Sequence, residues 1–242
     1  MATATQPTAP TPTGGPIDVA FPPLEGGDRL TRPEFERRYD AMPGVKKAEL
    51  IDGVVYMGSP VGFRRHSVPH YDAINWLGHY SAYTPGTQGG DNGSIRLDLD
   101  NMPQPDAFLV ILPEADGQIR VGEDDLVIGA PELVVEIAAS SVSHDLNQKL
   151  DVYRRHGVRE YLAWRVKDRA IDWFILRDGK YDRLEPGADG LYRSEAFPGL
   201  WLDPGALVGG DMPAVFQVVQ RGLATPEHAA FVERLRRARR GP

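Results

Sequence analysis

Two runs of the chain, QPDAFLVIL at 104–112 and ELVVEIAAS at 132–140, are almost wholly apolar, yet Asp106 and Glu136 sit among the hydrocarbon. Runs of this length without polar alternation belong to strands covered on both faces. They restrict the chain to an architecture with two strands in the middle of a sheet and further layers on either side. Each embedded acid needs an explanation, because an ionised carboxylate in a low-dielectric interior is costly unless cations or hydrogen-bond donors meet it.

The segments around these runs read as follows. Residues 1–28 are rich in Thr, Pro, Ala and Gly without periodicity, and a flexible leader is expected there. Thr31 and Glu34 have the spacing of a capping box before a short helix. KAELIDGVVYMGS reads as two short strands joined at Asp52-Gly53. FRRHSVPHYDAINWLGHYSAY is helical, with Tyr71, Ile74, Trp76 and Leu77 near one face. GSIRLDLD alternates like a strand. SHDLNQKLDVYRRHGV is a helix with Ser143 as N-cap and Gly157 as terminator, packing through Leu146, Leu150 and Tyr153. REYLAWRV and AIDWFILRDGKYDRL are strands, the latter turning at Asp178-Gly179, and the basic tail is helical. Strands and helices in this mixed order predict an α+β or α/β domain at 29–208 with a central mixed sheet, followed by a helical extension at 209–242. Trp76, Trp164, Trp173 and Trp201 read as packing residues.

Composition excludes several classes. No stretch approaches the roughly 20 apolar residues of a membrane helix, and the N-terminus resembles neither a signal nor a transit peptide. A cytoplasmic protein without membrane partners is expected. The absence of cysteine removes disulfides, thiolate metal sites and a cysteine nucleophile. The net charge of -7 argues against non-specific coating of nucleic acid, while leaving room for a local basic patch around an acidic site.

If the two apolar strands are neighbours, roughly 5 Å apart, Asp106 and Glu136 approach closely. Two anions so placed repel by several kcal/mol, so one takes a proton or a cation sits between them. A hard divalent ion such as Mg²⁺ suits carboxylate oxygens, with the Ile137 carbonyl as a further candidate ligand. Lys149 flanks the packing face of its helix, where its ammonium could reach the acids, orient a water or offset charge on a phosphate. Glu49, just before the first hairpin turn, is a candidate third acid. His66, near the start of the long helix, is a candidate proton carrier or phosphate contact.

AELIDGVVYM, RRH, QPDAFLVI, GAPELVVEIAASS and DLNQKLDVYRRHGVREYLAWRV, in this order, resemble the putative restriction endonuclease (Uma-type) family of the PD-(D/E)XK nuclease superfamily. The resemblance runs from about Leu30 to Leu202. It implies a restriction-endonuclease-like core of mixed sheet flanked by helices, and Mg²⁺-dependent phosphodiester hydrolysis with Mn²⁺ as an alternative ion. It makes Pro105-Asp106 the PD element, Glu136 the second acid and Glu49 the early acid. Ala138 stands where the superfamily's lysine would be, and the resemblance assigns that role to Lys149. Ala139-Ser140-Ser141 replaces the Ser-Pro-Ser of many relatives.

Blander readings stand beside these. Asp106 could terminate a strand, Glu136 could face water or pair with Arg159 or Arg165, Glu49 could be a surface acid and Lys149 a solvated helix lysine. A histidine at the position of His66 is more often incidental. Three functions follow: an endonuclease acting on DNA, with a homodimer as one way to cut both strands; a non-catalytic DNA- or protein-binding module; or hydrolysis of a small phosphorylated molecule.

Overall fold

The computed structural model describes residues 22–139 and 145–240. Its strands are β1 Ala48–Ile51, β2 Val54–Met57, β3 Thr87–Asp91, β4 Ile95–Arg96, β5 Ala107–Ile111, β6 Arg120–Val121, β7 Val127–Ile128, β8 Leu133–Ala138, β9 Glu160–Arg165, β10 Ala170–Arg177, β11 Lys180–Arg183, β12 Tyr192–Arg193 and β13 Trp201–Leu202. Its α-helices are α1 Arg32–Asp40, α2 Val68–Ala82, α3 Leu150–Arg155, α4 Pro204–Gly209, α5 Met212–Leu223 and α6 Pro226–Arg240. Two π-helical turns, Phe63–Ser67 and Asp145–Lys149, lead directly into α2 and α3.

The two apolar runs form β5 and β8, and every residue of both strands is buried. They are neighbours inside a six-stranded mixed sheet of order β11-β10-β9-β8-β5-β3. β8 pairs parallel with β9, and the other neighbours pair antiparallel. A parallel pair needs a crossover, and α3 lies on the connection between β8 and β9.

Side-chain alternation along β8 sorts the two layers. Leu133, Val135 and Ile137 join Trp76, Leu77, Tyr80, Trp164 and Trp173 in the larger core. Val134 joins Phe108, Val110, Tyr153, Tyr161 and Ala163 in the second core, with Leu146 and Leu150 packed against it. By the same alternation Glu136 projects toward the second layer. Asp106 precedes β5 on the side of Phe108 and Val110. The register Ala107↔Val135 carried one step back sets it opposite Glu136. Directly opposed residues of an antiparallel pair share a face, so the two acids do too.

The β1–β2 hairpin turns at Asp52 (φ 49°) and Gly53 (φ 71°), the paired left-handed conformation of a type I′ turn. Ala48 and Leu50 face a third apolar cluster with Phe35, Val55 and Met102, which leaves Glu49 on the other side of the strand.

Several expectations are corrected. Thr31 makes no side-chain cap to α1, and the Glu34 carboxylate, which would return the second bond of the box, is engaged by Arg37 and Arg38. Tyr71 is 66% exposed, and the buried stripe of α2 runs through Ala73, Trp76, Leu77 and Tyr80. Only Ile95–Arg96 of GSIRLDLD forms a strand. Leu24 is buried and the Gly27 N–H donates to Val55 O, so the packed body includes the end of the expected leader. The C-terminal helices belong to the main core through Val215, Val219, Phe231 and Leu235. Residues 1–21, Ser140, Ser141, Ser143 and His144 lie outside the described residues. Among those described, no helix is long and apolar enough to cross a membrane.

Candidate active site

Asp106, Glu136, Glu49, Lys149 and His66 come from five separate segments and line one cleft of about 860 Å³. The proline-rich approach to β5 is buried and brings Asp106 to the edge of the ladder, where β5–β8 pairing stops. There its Oδ2 accepts from the Ile137 N–H at 2.8 Å, in place of a backbone carbonyl. Its Oδ1 faces Lys47 Nζ at 3.0 Å and His66 Nε2 at 3.3 Å.

Glu136, 3% exposed, accepts on Oε1 from Lys149 Nζ at 2.7 Å and from the Tyr153 hydroxyl at 2.9 Å. Lys149 is equally buried and lies 2.9 Å from Glu49 Oε1. Glu49 is held in turn by the Gln104 N–H at 2.8 Å. The lysine therefore bridges acids from β1 and β8. A buried ammonium needs such partners, because desolvation alone would drive it to the neutral form. The pairing of Glu136 with Arg159 or Arg165 does not occur: Arg165 binds Asp168 and Asp172, and Arg159 donates to Gln118.

The two π turns supply the two site residues that strands cannot. One carries His66 and the other ends at Lys149. π turns widen a helix locally and recur at functional positions. The Tyr56 hydroxyl donates to Gln148 Oε1 at 2.7 Å, tying the second turn to the hairpin that carries Glu49.

Electrostatics follow from the geometry. Burial works against ionisation of Asp106, but the His66 hydrogen bond, the Lys47 charge and the Ile137 N–H outweigh it and hold its carboxyl far below the usual range. Burial likewise disfavours the Lys47 ammonium, but Asp106, Glu136 and Glu49 overcome that cost and raise its pKa. Three carboxylates stand against two lysines, so the acids outnumber the ammonium groups by one, which suits a further cation. The donors are hard oxygens, as a divalent ion of the Mg²⁺ type requires. Among the described residues no three His, Asp or Glu side chains already stand in metal-ligand geometry.

Three participants escaped the sequence reading. Lys47 lies two residues before Glu49, the spacing of one strand face. His70 lies four after His66 on one helix stripe, and its Nε2 sits 2.6 Å from the Asp106 carbonyl and 3.1 Å from Asp91. Tyr153 lies four after Lys149. Each spacing was a usable signal.

Residues 32–205 match the model of the Uma2 family, described as "Putative restriction endonuclease". No curated protein matches the chain. A similar solved structure is described as "a putative nuclease belonging to DUF820 from Anabaena variabilis ATCC 29413". It is 14% identical, over 70% of this chain and 97% of that one, with a TM-score of 0.49, a likeness too distant to place residues. The family match takes in all five expected site residues and well over half of the sequence. As the resemblance implied, the chain belongs to the Uma2 restriction-endonuclease family.

Proposed function

We propose that the protein is a metal-dependent endonuclease that hydrolyses phosphodiester bonds of DNA in the cleft between β1, β5, β8 and the two π turns. Family membership supports hydrolase activity of the nuclease kind. The observation that carries the reading is Lys149, bridging Glu49 and Glu136 on the cleft wall that also holds Asp106.

Asp106, Glu136 and the Ile137 carbonyl would hold Mg²⁺, with Mn²⁺ as a substitute. A bound divalent ion supplies Lewis-acid polarisation of the phosphate and a lowered pKa for a coordinated water. The protein's own groups do the rest. The Lys149 ammonium orients the attacking water and offsets negative charge growing on the phosphorus oxygens. Glu49 positions that ammonium. His66 and Lys47 keep Asp106 ionised, so the acid is available at every ordinary pH.

Asp106→Asn and Glu136→Gln should abolish cleavage of plasmid and oligonucleotide substrates in Mg²⁺, with the circular dichroism spectrum unchanged. Cleavage retained by Asp106→Asn refutes the assignment. Calorimetric titration with Mg²⁺ and Mn²⁺ should show binding to the wild type that is lost in Glu136→Gln.

A second reading, a non-catalytic DNA- or protein-binding module, draws on one observation. All three acids already meet cations or donors of the chain itself. Its mark would be nucleic-acid binding without turnover in any divalent ion.

A further inference from the structure

Although the chain carries a net charge of -7, one lip of the cleft has the opposite character. The lip is the segment 60–71, a loop that winds into the π turn Phe63–Ser67 and on into α2. Its inner stripe, His66 and His70, faces Asp106. Its outer side is apolar and basic. Phe63 is 72% exposed, Tyr71 66% and Val61 58%. Arg64 and Arg65 are exposed between them, and among the described residues neither meets a carboxylate. Many arginines elsewhere are tied down: Arg37 and Arg38 by Glu34, Arg96 by Glu36, Arg155 by Asp52, Arg165 by Asp172.

Large aromatic rings left in water beside a cleft mark a contact surface, since each forgoes the gain of burial. Phe63 and Tyr71 are eight residues apart on continuous helix, close to two turns, so both rings lie along the same lip. Guanidinium groups without acidic partners are ready for phosphate oxygens, which they bind in a two-pronged fork.

We infer that the 60–71 lip holds a single strand of nucleic acid, with Phe63 and Tyr71 stacking on unpaired bases and Arg64 and Arg65 binding the phosphates that flank the scissile one. The inference rests on the nuclease reading and specifies its substrate class. Unpaired bases offer their faces to aromatic rings, whereas a duplex hides the faces and presents only edges. A duplex binder also needs a broad basic surface. Among the described residues, Lys46 on the cleft wall and Arg64 and Arg65 on the outer side of the lip meet no carboxylate, a narrow track fitting one backbone.

The test is fluorescence anisotropy of a labelled oligothymidylate and a hairpin duplex of equal length, with wild-type protein in EDTA to prevent cleavage. The single strand should bind at least tenfold tighter than the duplex. Phe63→Ala with Tyr71→Ala should weaken single-strand binding about thirtyfold or more without changing its salt dependence. Arg64→Ala with Arg65→Ala should weaken it and flatten the salt slope by about 1.4, two phosphate contacts at about 0.7 each. All four side chains are exposed, so both double variants should fold, as circular dichroism will show. Equal affinity for the duplex, or variants that bind like the wild type, overturns the lip. So does an aromatic variant whose only change is a smaller assembly in size exclusion, which would give the patch to a second copy. In each of those cases, cleavage by the wild type in Mg²⁺ leaves the nuclease reading standing. A wild type that neither binds nor cuts ends both.

Discussion

Asp106 and Glu160 are both buried acids of the central sheet, and their surroundings are opposite. Asp106 meets a lysine, a histidine and one backbone N–H at the wall of an open cleft. Glu160 begins β9 with no exposure and, among the described residues, meets only neutral donors: Trp173 Nε1, the Ser194 hydroxyl and the N–H groups of Glu195 and Ala196. Burial pushes the Glu160 carboxyl up to about 7 against those four donors. The Asp106 carboxyl is driven the other way by its cations. Burial alone therefore does not mark the acid proposed for the site. What marks it is a cation brought from a distant segment to a place that solvent can reach. Glu160 instead fastens the 194–197 loop to the sheet. Glu132 does the same for the Ile111 and Gln118 N–H groups.

The largest effect should come from the sealed acid. Glu160→Ala strands four donors in the core, each costing about 1–3 kcal/mol, so a loss of about 5 kcal/mol or more is expected in urea melts. Any molecules that remain folded should keep full specific activity. An effect below about 2 kcal/mol would mean that the loop reorganises and that the acid is not its anchor.

Lys149→Ala comes next and breaks the open site. Removing one partner of a buried ion pair costs about 3–5 kcal/mol, and here two carboxylates lose their common cation. Adding Glu136→Gln should recover part of that stability while cleavage stays absent. If the double variant is no more stable than Lys149→Ala, the two side chains do not share an electrostatic account.

The acids also differ in how they couple stability to pH. Glu160 holds its proton more tightly folded than unfolded. Its contribution is whole below its ordinary 4.5 and declines as pH rises to about 7. The loss across that window is about 3 kcal/mol, at 1.36 kcal/mol per pH unit. Asp106 has the reverse sign: its contribution is present above the ordinary 3.8 and is lost only as pH falls below that value. The difference in stability between wild type and Glu160→Gln, measured from about pH 2 to 8, should vary through the middle of the range. The same difference for Asp106→Asn should be flat there and change only at the acid end.

Much of this contrast could be read from residues alone, and the unread part has a physical cause. β5 and β8 announced themselves by hydrocarbon runs that water would not tolerate, and the acids inside them by their cost. The hairpins followed from Asp52-Gly53 and Asp178-Gly179, whose positive φ values suit those turns. Glu160 gave no such sign. It stands at a strand end in REYLAWRV between Arg159 and Tyr161, and the Ser194 hydroxyl that holds it is 34 residues away. Tyr71 fitted the helical period but lies outside the buried stripe, since the period fixes spacing and not the neighbour that covers it. Thr31 and Glu34 had capping spacing, but two arginines in the next turn compete for the glutamate.

The smallest effect separates the three groups that hold Asp106. The Lys47 side chain is 31% exposed, so its pairing is partly screened and Lys47→Ala should cost only about 1 kcal/mol. Its signature lies in titration. Without the ammonium, the Asp106 carboxyl keeps the His66 hydrogen bond and the Ile137 N–H, and its pKa should rise toward the ordinary carboxylate value without reaching it. Carbon-13 NMR of the carboxyl resonance will measure this directly. A value unmoved by Lys47→Ala would assign the whole effect to the imidazole and the backbone donor. Lys47 would then be a bystander at the rim, and the Asp106 carboxylate would owe its charge to a single helix turn and the strand it leans on.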